Sequence, residues 1–172
     1  MNFSLIVACD QKMGIGINNT LPWHIKKDFK YFTDMTTGNH PAKKNAVIMG
    51  RKTWESIPKN HQPLSNRLNV VLSRQEDLDL PEGVLHYKSF DEALAELSKK
   101  NDINEAFNIG GGRLFAETIN HPNCNRIYLT EVMKEYPCDT FFPPIPDDFK
   151  KVKESEVFEE NSLQFKFTVL ER

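Results

Sequence analysis

The chain lacks any closely spaced pair of cysteines, which excludes a metal knuckle or a redox dithiol built on local sequence. Cys9, Cys124 and Cys138 are odd in number and far apart, and none has a zinc-type partner among His24, His40, His61, His86 and His121. They are expected to be reduced thiols of a cytoplasmic protein, with Cys9 as buried packing. A long apolar run is also missing. Nothing approaches the ~20 residues of a membrane-spanning helix, and Met1-Asn2-Phe3 leads into a strand-like segment without a basic leader. No membrane and no targeting address is expected. Excess charge of one sign is absent too: the net charge is −2, which gives no footprint for nucleic acid. With no repeat, low-complexity tract or linker, the 172 residues are expected to form one domain, 1–172.

What is present is an alternation of short buried strands with helices. Phe3 to Cys9 is nearly all apolar, as a central strand covered on both faces requires, and Asn45 to Gly50 and Leu68 to Leu72 are similar. Leu85 to Tyr87, Glu105 to Ile109 and Arg126 to Val132 supply further strands. Ser89-Phe90-Asp91-Glu92 has the capping-box pattern and opens a helix with Ala93, Leu94 and Leu97 inward. Near the end, Phe165, Phe167 and Val169 alternate with polar residues, which predicts an antiparallel pair turning at Glu160-Asn161-Ser162. The fold class is α/β: a mostly parallel twisted sheet of about eight strands with an antiparallel C-terminal edge and helices on both faces.

Two strand ends carry cations. Gly50-Arg51-Lys52-Thr53 lies between a strand and a helix, and Ser73-Arg74 closes another strand, both at the edge where open α/β sheets bind ligands. Arg51-Lys52 alone reads as a surface pair; its position makes it an anion site. Gly110-Gly111-Gly112 follows a third strand and allows close approach to the backbone, although it matches neither standard phosphate-loop motif. Asp10 to Asn19, rich in Gly, Asn and Asp, is expected to be an irregular loop acting as a lid.

One acid breaks its pattern. A helix is expected from just after Pro22 to about Thr36, with Ile25, Phe29, Phe32 and Met35 as its buried stripe, and Asp28 falls in that stripe. A carboxylate there loses solvation and needs donors, a cation or a proton. Taken alone, Asp28 reads better as a solvated or capping Asp near a helix start. Lys26, Lys27 and Lys30 are expected to be a solvated face, Trp54 and Phe29 mainly core, and His24 and His121 surface residues.

In order along the chain, Leu5 to Ala8, Gly14-Ile15-Gly16, Leu21-Pro22-Trp23, Asp28, Phe32, Val47 to Ile57, Pro63-Leu64, Arg67, Ile109 to Gly112 and Thr130 together resemble the dihydrofolate reductase family. The Met-Gly-Arg-x-Thr-Trp-Glu-Ser-Ile block and the Leu-Pro-Trp segment with its downstream acid are the specific parts. The resemblance covers nearly the whole chain. It implies NADPH-dependent reduction of 7,8-dihydrofolate to tetrahydrofolate, antifolates as inhibitors and an adenosine-binding lobe over roughly 41–102; with 172 residues no fused thymidylate synthase is expected, and with no unexplained apolar stripe a monomer is expected.

It also implies roles. Asp28 would orient and polarise the pterin, with water delivering the proton to N5 and Thr130 supporting the acid; Leu21 and Trp23 belong to the same catalytic set. Ile6, Val7, Phe29, Phe32, Ile57, Leu64 and Ile109 would line the substrate slot, and Arg67 would take the α-carboxylate of the glutamate tail. Ala8, Ile15, Gly16 and Ile109 would lie near the nicotinamide. Gly50, Arg51, Lys52, Thr53, Ser56, Gly111, Gly112, Arg113, Leu114 and Phe115 would hold the phosphates and neighbouring parts, with Leu72, Ser73 and Arg74 at the adenosine end. A cis Gly110-Gly111 bond is implied as well. The acid is Asp, as in many bacterial members, whereas Leu21 and Ser73-Arg74 look like the animal form, and Phe115 stands where many bacterial members have Tyr. Two rivals remain: a related reductase acting on a pyrimidine or pterin intermediate, such as that of the riboflavin pathway, and a non-catalytic nucleotide-binding module. The Leu-Pro-Trp segment argues against the first, and the buried acid against both.

Overall fold

Apolar strands that need cover on both faces produce a sheet sandwiched by helices, and the computed structural model, which describes all 172 residues, has that form. In chain order the elements are β1 (Phe3–Cys9), β2 (Gly14–Gly16), α1 (Lys26–Thr37), β3 (Lys44–Gly50), α2 (Arg51–Ser56), β4 (Arg67–Leu72), β5 (Leu85–Tyr87) and α3 (Phe90–Ser98). There follow β6 (Ile103–Asn108), α4 (Gly112–Thr118), β7 (Cys124–Val132), β8 (Thr140–Phe141), β9 (Lys150–Glu154), β10 (Phe158–Glu160) and β11 (Leu163–Glu171). The main sheet runs β10-β11-β7-β1-β6-β3-β4-β5, with β9 also paired to β11. From β7 to β5 the pairings are parallel; β9, β10 and β11 form the antiparallel edge. As the continuous apolar run of β1 predicts, that strand is interior, between β6 and β7.

Alternation along the strands divides the core. Leu5 and Ile48 face the layer that contains Phe90, Leu97, Leu114 and Phe115 of α3 and α4. Ile6, Val47 and Met49 face the other layer, with Trp54 of α2 and the half-buried Phe32 and Met35 of α1. Helices therefore cover both faces. The Ser89 hydroxyl caps α3 by accepting from Glu92 N–H, and Asn161 and Ser162 turn the β10–β11 hairpin with positive φ at both positions.

Three local expectations need correction. The first helix starts at Lys26, not directly after Pro22: Trp23 and Ile25 are both drawn into a cluster with Val132, Phe165 and Phe167, which keeps Ile25 extended at φ −125°, ψ 106°. Phe29 is not core; it is 40% exposed and lies against the exposed His24 ring. The lid is not wholly irregular, because Gly14–Gly16 pairs antiparallel with Thr140–Phe141. Trp54 and Cys9 are buried as expected, Lys26, Lys27 and Lys30 are exposed, and His121 is half-buried against Phe3 and Phe90.

Candidate active site

Asp28 lies in the first turn of α1, and that turn is capped from far away. No side chain of the helix caps it; Glu160 at the end of β10 accepts from Lys26 N–H at 2.7 Å and Lys27 N–H at 3.2 Å. Facing Asp28, Thr130 lies in β7 opposite Ala8 of β1, on the sheet face that α1 covers. Its hydroxyl donates to Asp28 Oδ1 at 2.6 Å. Burial pushes the Asp28 carboxyl up to about 6, and the Thr130 bond offsets only part of that cost. No cation pairs with it, so the carboxylate retains acceptor capacity for a ligand's donors. Nearby, the buried Trp23 indole N–H has no acceptor in the protein.

The wall of this slot is apolar. Ile6, Phe32, Ile57, Leu64 and Ile109 belong to one cluster, and all but Ile6 are half-exposed. Val7 departs from the expected set: with side chains alternating across a strand, it packs with the opposite cluster, alongside Met13 and Ile15. Leu21 is 46% exposed, as suits a residue at a mouth rather than in a core. Arg67 begins β4, with its guanidinium near the Phe32 ring and bonded to the Thr36 hydroxyl and Ser65 carbonyl. Arg51, Arg126 and Arg172 each pair with a carboxylate, whereas Arg67 pairs with none.

The two glycine-bearing strand ends meet. Gly50 N–H donates to the Gly110 carbonyl at 2.9 Å, and a Cβ on Gly111 would lie 3.3 Å from Thr53 Oγ1. The Gly110-Gly111 bond is cis. A Cβ on Gly112 would meet Thr140 Cγ2 at 2.7 Å and the Phe141 carbonyl at 3.1 Å, which ties this turn to the strand beneath the lid. Lys52, Ser56, Arg74 and Arg113 are exposed, Ser73 is half-buried, and Arg51 bonds to Glu55. Leu72, Leu114 and Phe115 face the core.

The loop from Asp10 to Asn19 is held by two acids. Asp10 Oδ1 accepts from Lys12 N–H and Gly14 N–H, at 2.8 and 2.7 Å, and Oδ2 accepts from Tyr136 N–H at 2.9 Å. Burial alone would raise its carboxyl, but these backbone donors together hold it below its ordinary value. Asp139 accepts from Asn18 N–H and donates its own N–H to the Gly16 carbonyl.

Sequence patterns had not singled out Thr36, Glu160, Asp10 or Asp139. Thr36 had a signal, since it lies eight positions after Asp28 on the same helix stripe; Glu160 had none, because its partners are over 130 residues away.

A family model described as dihydrofolate reductase matches residues 2–172. The chain is 41% identical over 179 residues to the dihydrofolate reductase of Drosophila melanogaster, covering 100% of this chain and 98% of that protein. It is 43% identical to the Rattus norvegicus dihydrofolate reductase, with 97% and 95% covered. Among solved structures, Schistosoma mansoni dihydrofolate reductase superposes with a TM-score of 0.88 at 39% identity, covering 99% of this chain and 98% of that one.

Proposed function

The chain belongs to the dihydrofolate reductase family, and from that premise we propose that NADPH is its hydride donor and that Asp28 orients and polarises the substrate in the slot described above. The reaction is reduction of 7,8-dihydrofolate to 5,6,7,8-tetrahydrofolate with a nicotinamide cofactor. What carries the reading of the site is the half-buried Asp28 carboxylate, supported by Thr130 and facing no cation. Its oxygens accept paired hydrogen bonds from the pterin 2-amino group and adjacent ring N–H, which fixes the ring in the slot.

Ile6, Phe32, Ile57, Leu64 and Ile109 hold the pterin and benzoyl rings, with Phe29 and Leu21 at the rim and the backbone of Val7 beside the ring. The unpaired Arg67 guanidinium forms a fork with the glutamate α-carboxylate. When bound, the nicotinamide supplies hydride to pterin C6. Asp28 is directed toward the 2-amino side of the ring, so the N5 proton comes from water, and the Gly14–Gly16 lid limits solvent access. The indole N–H of Trp23, without a protein acceptor, is available to donate to that water.

The residues present fit the cofactor. Gly111 and Gly112, next to Gly50, form a close-packed cradle where side chains would crowd Thr53 or collide with Thr140 and Phe141, beside Arg51, Lys52, Thr53, Ser56 and Arg113. Ser73 and Arg74 would hold the adenosine 2′-phosphate, which favours NADPH over NADH. Ala8, Ile15, Gly16 and Ile109 would border the nicotinamide, and Leu72, Leu114 and Phe115 would support the cradle from the core. Residues 41–102 would form the adenosine lobe of a single domain, and antifolates would compete in the Asp28 slot. A cytoplasmic monomer fits three free cysteines and scattered exposed apolar side chains; no helix is long and apolar enough to cross a membrane.

The test is loss of NADPH absorbance on adding dihydrofolate, repeated with NADH and with Asp28→Asn. Equal rates with the two cofactors would overturn the 2′-phosphate assignment. Full activity of Asp28→Asn at neutral pH would overturn the role of the acid.

A further inference from the structure

We propose that Thr36 is a positioning residue that sets Arg67 for the substrate's glutamate carboxylate, an inference that rests on the reading of Arg67 given above. Thr36 is fully buried in the last turn of α1. Its hydroxyl donates to the Phe32 carbonyl at 2.7 Å, so its proton is committed, and a lone pair accepts from Arg67 NH1 at 2.9 Å. A buried hydroxyl is unfavourable unless bonded, and here both its donor and an acceptor position are used.

The consequence lies in the donors left over. A guanidinium has five N–H donors. Ser65 takes the one on Nε at 2.8 Å and Thr36 takes one on NH1, so the three that remain are on the terminal nitrogens, where a carboxylate can receive two parallel bonds. The Phe32 ring lies near the guanidinium, with 6.0 Å between its centroid and Cζ. Burial disfavours the charged form of Arg67, and no carboxylate of the protein compensates. Two fixed protein acceptors and no protein anion describe a cation held ready for an anion from outside.

The geometry also links both ends of the substrate to one helix. Asp28, Phe32 and Thr36 recur every four residues on one stripe of α1, which separates the first and last by about 12 Å along the axis. The acid at one end meets the pterin, Phe32 meets the ring between, and Thr36 acts at the other end through Arg67. Thr36 thus governs recognition of the tail without touching the substrate.

The experiment compares Thr36→Val, Thr36→Ala and Thr36→Ser at saturating NADPH, using dihydrofolate and 6-methyl-7,8-dihydropterin, which has no glutamate. Val and Ala are expected to raise KM for dihydrofolate about tenfold and to leave kcat and the KM for the dihydropterin within about twofold. Ser is expected to restore KM for dihydrofolate. An equal rise for both substrates, or no rise for dihydrofolate, would overturn the proposal; measuring Ala beside Val keeps poor folding of one variant from deciding the matter. Arg67→Ala separates the two levels. If it fails to discriminate between the substrates, the Arg67 assignment falls; if it discriminates and the Thr36 variants do not, only the role of Thr36 falls.

Discussion

The Thr130 hydroxyl donates to Asp28 Oδ1 at 2.6 Å, joining β7 to α1 across 102 positions of sequence. This bond opposes the burial that raises the Asp28 carboxyl. Replacing Thr130 with Val is expected to raise that pKa further above 6 and to move the acid limb of kcat/KM upward, with about a tenfold loss at neutral pH. A pH profile that does not move would refute the coupling.

Affinity for substrate should follow the ionisation of Asp28. The protonated acid loses one acceptor, so dihydrofolate binding weakens as pH falls through about 6. Fluorescence titration between pH 5 and 8 reads this directly. In Asp28→Asn the pH dependence should flatten.

The same acid costs the ligand-free protein stability. A folded-state pKa of about 6 lies above the ordinary 3.8, so the folded form holds its proton more tightly, and stability is lost as pH rises through this window. At pH 7 the shift corresponds to a penalty of about 3 kcal/mol, by ~1.4 kcal/mol per unit. Asp28→Asn should therefore resist urea better than the wild type at pH 7, by up to that amount less the altered Thr130 bond. The advantage should shrink on acidification and vanish below about 3.8. A destabilised variant at neutral pH would contradict it.

Glu160 gives the opposite sign. The backbone donors of Lys26 and Lys27 hold its carboxyl below the ordinary value, so its contribution is present above the ordinary carboxylate range and is lost as pH falls through the folded pKa. Glu160→Ala should lower Tm by about 2–4 °C at pH 7, as loss of a helix cap does in a chain of this size. The difference should disappear in acid. Thermal scans at pH 7 and at successively lower pH test both parts.

Gly110 adopts φ +104°, and a Cβ there would lie 2.8 Å from the Phe115 ring. Gly110→Ala should destabilise by more than about 1 kcal/mol and weaken cofactor binding, because the turn that meets Gly50 must move. Cofactor titration of the purified variant checks the second effect.

The sheet and the acid were legible because each left a periodic mark. Alternating buried strands, cations at strand ends and one carboxylate on an apolar helix stripe are visible without coordinates, and the carboxylate meets the sheet at Thr130. Less was legible where tertiary contacts override local pattern. The pull on Trp23 and Ile25 from Phe165 and Val132 delays the first helix. Val7 was readable, since the period-two alternation of β1 puts it on the face opposite Ile6. The remote cap at Glu160 could not be read from the sequence around Lys26. Thr36 could have been found, since it continues the stripe of Asp28 and Phe32.

The loop from Asp10 to Thr20 is not a portable part. Asp10 receives a bond from Tyr136, Gly14–Gly16 pairs with Thr140–Phe141, and a Cβ on Gly14 would lie 2.6 Å from that of Cys138. A graft of residues 10–20 into a related scaffold keeps the third Asp10 donor only where the backbone N–H of residue 136 stays in place, and it brings a foreign residue against Gly14. The unit that can be exchanged between homologues is the pair of segments 10–20 and 133–142, and chimeras that respect this seam are the ones in which loop composition can be varied on its own.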